Sequence, residues 1–193
     1  DIEQIGCDYY TASCHKWLSA GFGSGFLWVR RRHQPAMKPS VISWGGSISG
    51  REPTWKDEFT WSGTRDPAAW LTIPAAIEFL ESYGLERFRE QTHLQAADAR
   101  RRLVDAIGLE PPVPDSRDWY ASMVVVPLPP ADEPSPRQGH PDPLQRTLQR
   151  KYGIEIPVIS FHDQRYMRVS CHLYNTSEDI DRLVEAVRQE VVG

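Results

Sequence analysis

The spacing of apolar and polar positions predicts two short strands at the start of the chain, followed by irregular structure and then a helix. Residues 7–11 and 25–30 have strand character and are joined by a segment of small, hydroxyl-bearing and basic residues. Residues 33–58 hold several prolines and a glycine pair, which predicts a long irregular stretch. Asp66 and Pro67, a favourable cap and a favourable first-turn residue, then open a helix.

A second and longer helix is predicted directly after the first. The first helix stops near Gly84, and the second covers residues 85–107 with Gly108 as its stop. Four apolar positions recur along it at helical spacing and form a stripe: Leu94, Ala97, Leu103 and Ile107. We therefore expect this helix to lie across a surface and to join two domains.

The last part of the chain predicts a small α/β unit. Its expected elements are strands over residues 120–127, 154–161 and 166–171, a helix over residues 144–152, and a final helix capped by Thr176 or Ser177. The last two strands are expected to form a hairpin around residues 162–164. The polar, proline-rich segment 127–143 is predicted to be a flexible loop.

Composition narrows the class of protein. The 193 residues are 40% apolar and 25% charged, which is ordinary for a globular protein with a real core. The net charge of −4 and the absence of long basic runs argue against a nucleic-acid partner, and no apolar stretch is long enough to span a membrane. Three cysteines without framework spacing favour a reduced, cytoplasmic setting.

The candidate chemistry begins with Lys16, which lies between His15 and Trp17 and between the two predicted strands. A lysine held in a cleft can lose its proton and attack a carbonyl group. The alternative is that Lys16 only ends an edge strand and keeps it from pairing with other chains. Taken alone, Thr64 and Arg168 also have simple alternatives, a turn cap and a surface ion pair.

Taken together, the motifs resemble the class V branch of the fold-type I pyridoxal-phosphate (PLP) enzymes, which includes isopenicillin N epimerase-like proteins and cysteine desulfurases. The similarity runs over nearly the whole chain, and its closing motif and Trp-Ser-Gly-Thr-Arg-Asp run are closest to the epimerase-like group. The matching segments are Asp8 to Leu18 around Ser-Cys-His-Lys, Gly23 to Arg30, Phe59 to Asp66, and Arg168 to Thr176.

The resemblance implies a role for each of five residues. Lys16 would form the internal aldimine with the cofactor and later act as the base at the substrate α-carbon. Ser13 and His15 would bind the cofactor phosphate, and Thr64 would contact the phosphate of the partner subunit's cofactor in a homodimer. Arg168 would hold the α-carboxylate of an amino-acid substrate, because a guanidinium offers two parallel donors.

The resemblance also implies a fold and a domain organisation. The chain would be α/β, the C-terminal part of a fold-type I PLP-dependent transferase. Residues 1–84 would be the remnant of the large, mostly parallel-sheet PLP-binding domain, residues 85–108 a connecting helix, and residues 109–193 the small C-terminal α/β domain. Strands in the first part would keep unpaired edges, and part of residues 1–60 would stay irregular or pair with a second copy.

The sequence departs from the family pattern in three places. The family's proline-lysine-glycine turn is replaced by Ala20-Gly21-Phe22-Gly23. The family's groups for the cofactor ring lie upstream of the lysine, but only fifteen residues precede Lys16 here, so we expect the C-terminal half of a longer enzyme and an inactive isolated chain. Residues 115–168 contain no cysteine, which disfavours persulfide chemistry.

Several alternatives remain open from the sequence. The reaction could be epimerisation, C–S bond cleavage or transamination of a small amino-acid-type substrate. The chain could instead be a catalytically inactive α/β module that acts as a binding or assembly partner, or one half of a split enzyme. No metal site is predicted, because the cysteines and histidines lack the standard ligand spacings.

Overall fold

The structure, a computed structural model, describes residues 1–48, 50–131 and 140–193. These residues form two units, Asp1–Ser82 and Tyr83–Gly193, which we describe separately. Residues 132–139, about half of the predicted proline-rich loop 127–143, lie outside the described residues. Among the described residues, no helix combines the length and apolar character needed to cross a lipid bilayer.

The first unit is built on a two-stranded antiparallel sheet. A short helix, α1 (Ile2–Ile5), ends at Gly6 and leads into strand β1 (Tyr9–Ser13), which pairs with β2 (Gly25–Val29). Both strands were predicted, within two residues at each end. The resemblance implies that residues 1–84 belong to a mostly parallel sheet, whereas β1 and β2 pair in antiparallel fashion. All five residues of β1 are exposed, as expected for strands with unpaired edges.

The region between residues 31 and 60 is less irregular than predicted. It contains a 3₁₀ helix (Arg31–Ala36) and two short helices, α2 (Gly45–Ile48) and α3 (Trp55–Thr60). The segments between them have neither helix nor strand, and they carry large exposed apolar side chains such as Ile42.

The single helix predicted from Asp66 to Gly84 is divided in two. The structure has α4 (Ala68–Leu71) and α5 (Ile73–Tyr83), separated at Thr72. The break follows from Pro74, which has no N–H to donate to the carbonyl four residues earlier and whose ring crowds that position. The predicted cap was one residue too early, because Pro67 and not Asp66 is the N-cap and the helix begins at Ala68. Oδ1 of Asp66 nevertheless accepts a hydrogen bond from the Ala68 N–H at 2.8 Å.

Helix α6 (Leu85–Ile107) begins and ends where the sequence predicts, with Gly108 in the left-handed conformation as its stop. The predicted stripe was wrong in part: Leu94 is 57% exposed, and of the four positions only Leu103 is fully buried. Three small residues on the buried face, Thr92, Ala96 and Ala99, let the helix approach the sheet closely. That face consists of Phe88, Thr92, Ala96, Ala99, Arg100 and Leu103.

The second unit has a three-stranded antiparallel sheet in the order β3-β5-β4, with bounds Met123–Leu128 for β3, Val158–Phe161 for β4 and Gln164–Ser170 for β5. The predicted hairpin is confirmed. Its turn is only two residues long, His162 and Asp163, and both have positive φ. Two helices complete the unit, α7 (Pro143–Tyr152) and α8 (Ser177–Val187), and a π-helical turn (Arg188–Val192) follows.

One face of this sheet holds the apolar core. Met167 and Val169 on β5 are buried with residues of α6 and α8, whereas Arg168 and Ser170 on the same strand are exposed. Successive side chains of a strand point to opposite faces. Arg168 therefore lies on the open face, away from the two helices.

A buried ion pair closes the ends of the proline-rich segment. The Arg165 guanidinium contacts both carboxylate oxygens of Asp142 at 3.1 and 2.9 Å and donates to the Pro129 carbonyl at 3.0 Å. Only 12% and 4% of the two side chains are exposed. Asp142 also accepts from the Leu144 N–H at 2.8 Å, so this carboxylate starts α7 as well.

Candidate active site

The connection from β1 to β2 is a compact loop held by its own main chain. The Cys14 N–H donates to the Ser24 carbonyl, and the Ala20 N–H donates to the Cys14 carbonyl, both at 3.0 Å. A further bond of 3.0 Å joins the Ser19 N–H to the Lys16 carbonyl. These bonds fix the position of Lys16 without using its side chain.

Lys16 lies inside this loop and not in the strand. Strand β1 ends at Ser13, so the alternative of a charge that ends an edge strand does not describe its position. The Lys16 side chain is exposed, and no described residue forms a hydrogen bond or ion pair with its ammonium group. The amine is therefore available to a ligand.

His15 is half-buried and oriented by the second strand. Its Nδ1 lies 2.9 Å from the Ser24 carbonyl oxygen, and the ring lies 5.2 Å from that of Phe22. A carbonyl only accepts, so the proton is on Nδ1 and Nε2 is left for another partner. Nε2 donates only when the ring is protonated, which suits a dianionic phosphate. Ser13, at the exposed end of β1, has a hydroxyl that can also donate.

Gly21 brings the loop against the helices that follow. Its N–H donates to Thr72 Oγ1 at 2.7 Å, and a Cβ at this position would lie 2.9 Å from the Ala69 Cα. Gly23 has φ +85. The glycines that replace the family's usual turn are therefore required by close backbone approach and by a left-handed conformation.

Thr64 belongs to the same unit but not to the same cluster. It is exposed and follows Gly63, whose φ is +120. No hydrogen bond, ion pair or ring contact among the described residues joins it to Ser13, His15 or Lys16. Its role at a partner subunit's cofactor stays a prediction.

Sequence reasoning missed an open cavity of about 600 Å³ in the first unit. None of the predicted site residues lines it. Its aromatic lining consists of Trp28, Trp55, Phe59 and Trp70, and two cations, Lys56 and Arg65, border it. The aromatic residues come from a predicted strand, a stretch interpreted as irregular and a predicted helix, so no single sequence segment indicated the cavity. The Gln34 side chain links two parts of the lining, because its NH₂ group donates to the Val29 carbonyl and its amide oxygen accepts from the Trp55 Nε1–H.

Arg168 is placed by the second unit. Its N–H donates to the Pro157 carbonyl at 3.0 Å, and the alternation of side chains along β5 places its guanidinium on the open face of the sheet. Among the described residues, none forms a hydrogen bond or ion pair with that guanidinium. It lines a cavity of about 150 Å³.

The three cysteines are free thiols. Cys171, next to the β5 strand, is only 2% exposed, and burial raises the pKa of its thiol to about 11. At neutral pH it is a thiol and not the nucleophilic thiolate. Among the described residues, no group of three or more potential metal ligands is brought together.

The chain belongs to the aminotransferase class-V family, whose model matches residues 1–183. It is 34% identical to isopenicillin N epimerase of Amycolatopsis lactamdurans, over 98% of this chain and 48% of that protein. It is 29% identical to a probable chloroplastic L-cysteine desulfhydrase of Arabidopsis thaliana, over 97% of this chain and 40% of that protein.

A solved structure shows the fold. A variant of C-DES with glycine covalently linked to its PLP cofactor aligns with a TM-score of 0.70 at 18% identity, covering 97% of this chain and 47% of that one. The predicted fold class, part of a fold-type I PLP-dependent transferase, is therefore confirmed. The chain spans about half the length of the relatives it matches.

Proposed function

We propose that this chain is part of a PLP-dependent enzyme that acts on an amino acid or an amino-acid-derived substrate, with Lys16 as the residue that binds the cofactor covalently. The observation that carries the proposal is the β1–β2 loop. It holds an exposed and unpaired lysine amine beside a half-buried imidazole and a strand-end hydroxyl. Membership of the aminotransferase class-V family supports it.

The residues present fit the group. An amine is what the cofactor aldehyde requires, and the Ser13 hydroxyl and the His15 imidazole are groups of the kind that bind a phosphate dianion. When bound, PLP stores the electron pair released at the substrate α-carbon. Lys16 would take and return the proton at that carbon, while Arg168 would bind the substrate α-carboxylate.

Finer proposals concern the location, the assembly and the reaction of the full-length protein. The full-length protein would be a cytoplasmic homodimer in which Thr64 contacts the partner subunit's cofactor phosphate. Among the possible reactions we favour epimerisation, supported by the 34% identity to an epimerase. Cleavage of a C–S bond and transamination are the other outcomes of α-proton removal.

The test of the main proposal is covalent trapping in the full-length protein. Addition of PLP should produce an absorbance band near the visible region, and borohydride reduction should leave an adduct that peptide mass spectrometry assigns to Lys16. Lys38 is the matched control, since its amine pairs with Glu58 at the surface, and Lys38→Ala should retain the adduct. Absence of any adduct on Lys16 would favour the alternative, an inactive binding or assembly module.

A second prediction separates persulfide chemistry from the favoured reactions. With a thiol pKa of about 11, Cys171 should react with iodoacetamide at pH 8 at least about a hundredfold more slowly than the same residue in unfolded protein. Peptide mass spectrometry against time measures this, with half-buried Cys7 as the internal comparison. Rapid alkylation of Cys171 in the folded protein would contradict this prediction and make Cys171 a candidate nucleophile.

A further inference from the structure

A chain of hydrogen bonds runs from the His15 ring to the break between α4 and α5. The His15 Nδ1–H donates to the Ser24 carbonyl at 2.9 Å, and the Ser24 N–H donates to the Gly21 carbonyl at 3.1 Å. The Gly21 N–H donates to Thr72 Oγ1 at 2.7 Å, and the Thr72 hydroxyl donates to the Ala69 carbonyl at 2.7 Å. Every donor points away from the imidazole and toward α4, so the chain of bonds has one direction.

Thr72 is the link of this chain that joins two distant segments. Its bond to Ala69 is local and ordinary, because threonine hydroxyls in helices often donate to a carbonyl three or four residues earlier. Since a carbonyl only accepts, the hydroxyl proton is used there and the oxygen is left to accept from Gly21, 51 residues away. The side chain of Thr72 therefore ties the β1–β2 loop to the helices that follow.

The contact leaves the loop little freedom to move past α4. A Cβ at Gly21 would lie 2.9 Å from the Ala69 Cα and 3.1 Å from Thr72 Oγ1, so the two main chains already meet directly. Loss of the Thr72 hydroxyl would remove the protein acceptor of the Gly21 N–H. We expect the turn at residues 21–24 to shift, because water could replace that acceptor but could not hold the turn against α4.

The other end of the chain decides which nitrogen of His15 is available. The Ser24 carbonyl accepts from His15 Nδ1–H and from the Cys14 N–H, and Ser24 is only 3% exposed, so water has little access to compete for it. With Nδ1 engaged in this way, Nε2 is the nitrogen left for a phosphate. The Lys16 carbonyl is bonded separately, by the Ser19 N–H.

We infer that Thr72 is a positioning residue for His15 and, through His15, for the phosphate of the bound cofactor. The inference rests on the function proposed above. Thr72 holds the turn at residues 21–24, and the Ser24 carbonyl of that turn orients the imidazole. Because Lys16 is not part of this chain of bonds, the effect of Thr72 falls on the phosphate more than on the amine.

The first test compares PLP with pyridoxal, which carries the same aldehyde but no phosphate, in the full-length protein. Dissociation constants are measured from the change in cofactor absorbance, and their ratio isolates the contribution of the phosphate. Thr72→Val, which keeps the shape of the side chain but cannot accept a hydrogen bond, should reduce the preference for PLP about fivefold. Thr72→Ser, which keeps the hydroxyl, should restore the preference.

The second test needs no cofactor. NMR of the imidazole nitrogens of His15, in the cofactor-free full-length protein at a pH where the ring is neutral, distinguishes the two tautomers. The unsubstituted protein should hold the proton on Nδ1. Thr72→Val should raise the share of the tautomer protonated on Nε2, because the Ser24 carbonyl is then less well placed to accept.

Thr60→Val is the matched control, because that hydroxyl bonds the Lys56 carbonyl of its own helix at 2.8 Å, and it should change neither readout. An unchanged preference for PLP in Thr72→Val would overturn the inference and leave the proposed function standing. Equal weakening of PLP and pyridoxal would overturn it by showing a general structural role. A reduced preference with an unchanged tautomer would overturn the route through His15. An unsubstituted protein whose absorbance responds to neither aldehyde would refute the proposed function, and the inference with it.

Discussion

Replacement of Lys16 by alanine is expected to lower the rate of α-proton exchange of an amino-acid substrate by about 10³-fold or more in the full-length protein. The variant loses both the covalent attachment and the base. The loop itself should survive, because its bonds are made by main-chain atoms of Cys14, Lys16, Ser19, Ala20 and Ser24. The measurement is the exchange of the α-proton for deuterium, followed by NMR.

Lys16→Arg separates chemistry from charge. Arginine keeps a positive charge at the loop, but it does not lose its proton in proteins, so it should be as inactive as alanine. Partial recovery of the alanine variant with added ethylamine would support a missing base. Lys38→Ala should leave the exchange rate unchanged. An active Lys16→Arg enzyme would show that Lys16 contributes only its charge.

Replacement of Arg165 by methionine is expected to lower the free energy of unfolding by about 3–5 kcal/mol. Methionine is close to arginine in length but leaves the Asp142 carboxylate, 4% exposed, without a cation. The Pro129 carbonyl loses its donor as well. Urea-induced unfolding followed by circular dichroism measures the loss.

Arg146→Met is the control for this substitution. Arg146 lies on an exposed position of α7, and no described residue forms a hydrogen bond or ion pair with its guanidinium, so the change should stay within about 0.5 kcal/mol. Adding Asp142→Asn to Arg165→Met should recover part of the lost stability, because an amide still caps α7 but carries no charge. The account would be contradicted if the double variant lost more unfolding free energy than the two single variants lose when their losses are added.

Local patterns predicted most elements of the fold. Helix α6 and its end at Gly108 follow from apolar spacing and a left-handed glycine, and both signals come from residues close together in the sequence. The break at Pro74 and the exposure of Leu94 were missed for different reasons. Pro74 is a local signal that can be read in the sequence, whereas the exposure of Leu94 depends on which face of α6 meets the sheet, which only the tertiary structure decides.

The candidate site was predictable where its residues are consecutive. Ser13 ends β1, and His15 and Lys16 follow it directly in the β1–β2 loop, so the sequence alone brings them together. The contact of Gly21 with Thr72 joins positions far apart in the chain, and no pattern indicated it. The chain of hydrogen bonds from His15 to Ala69 depends on this contact, so only the tertiary structure reveals it.

The main-chain bonding of the β1–β2 loop has a consequence for how this part of the protein can evolve. The bonds that join Cys14, Lys16, Ser19, Ala20 and Ser24 in this loop are made by peptide groups, which do not depend on the identity of the side chain. Substitutions in the loop that leave these main-chain bonds intact can accumulate while the amine keeps its position, provided that Gly21 still allows α4 to approach. A lineage can lose the family's usual turn sequence in this way and retain the geometry that the turn served.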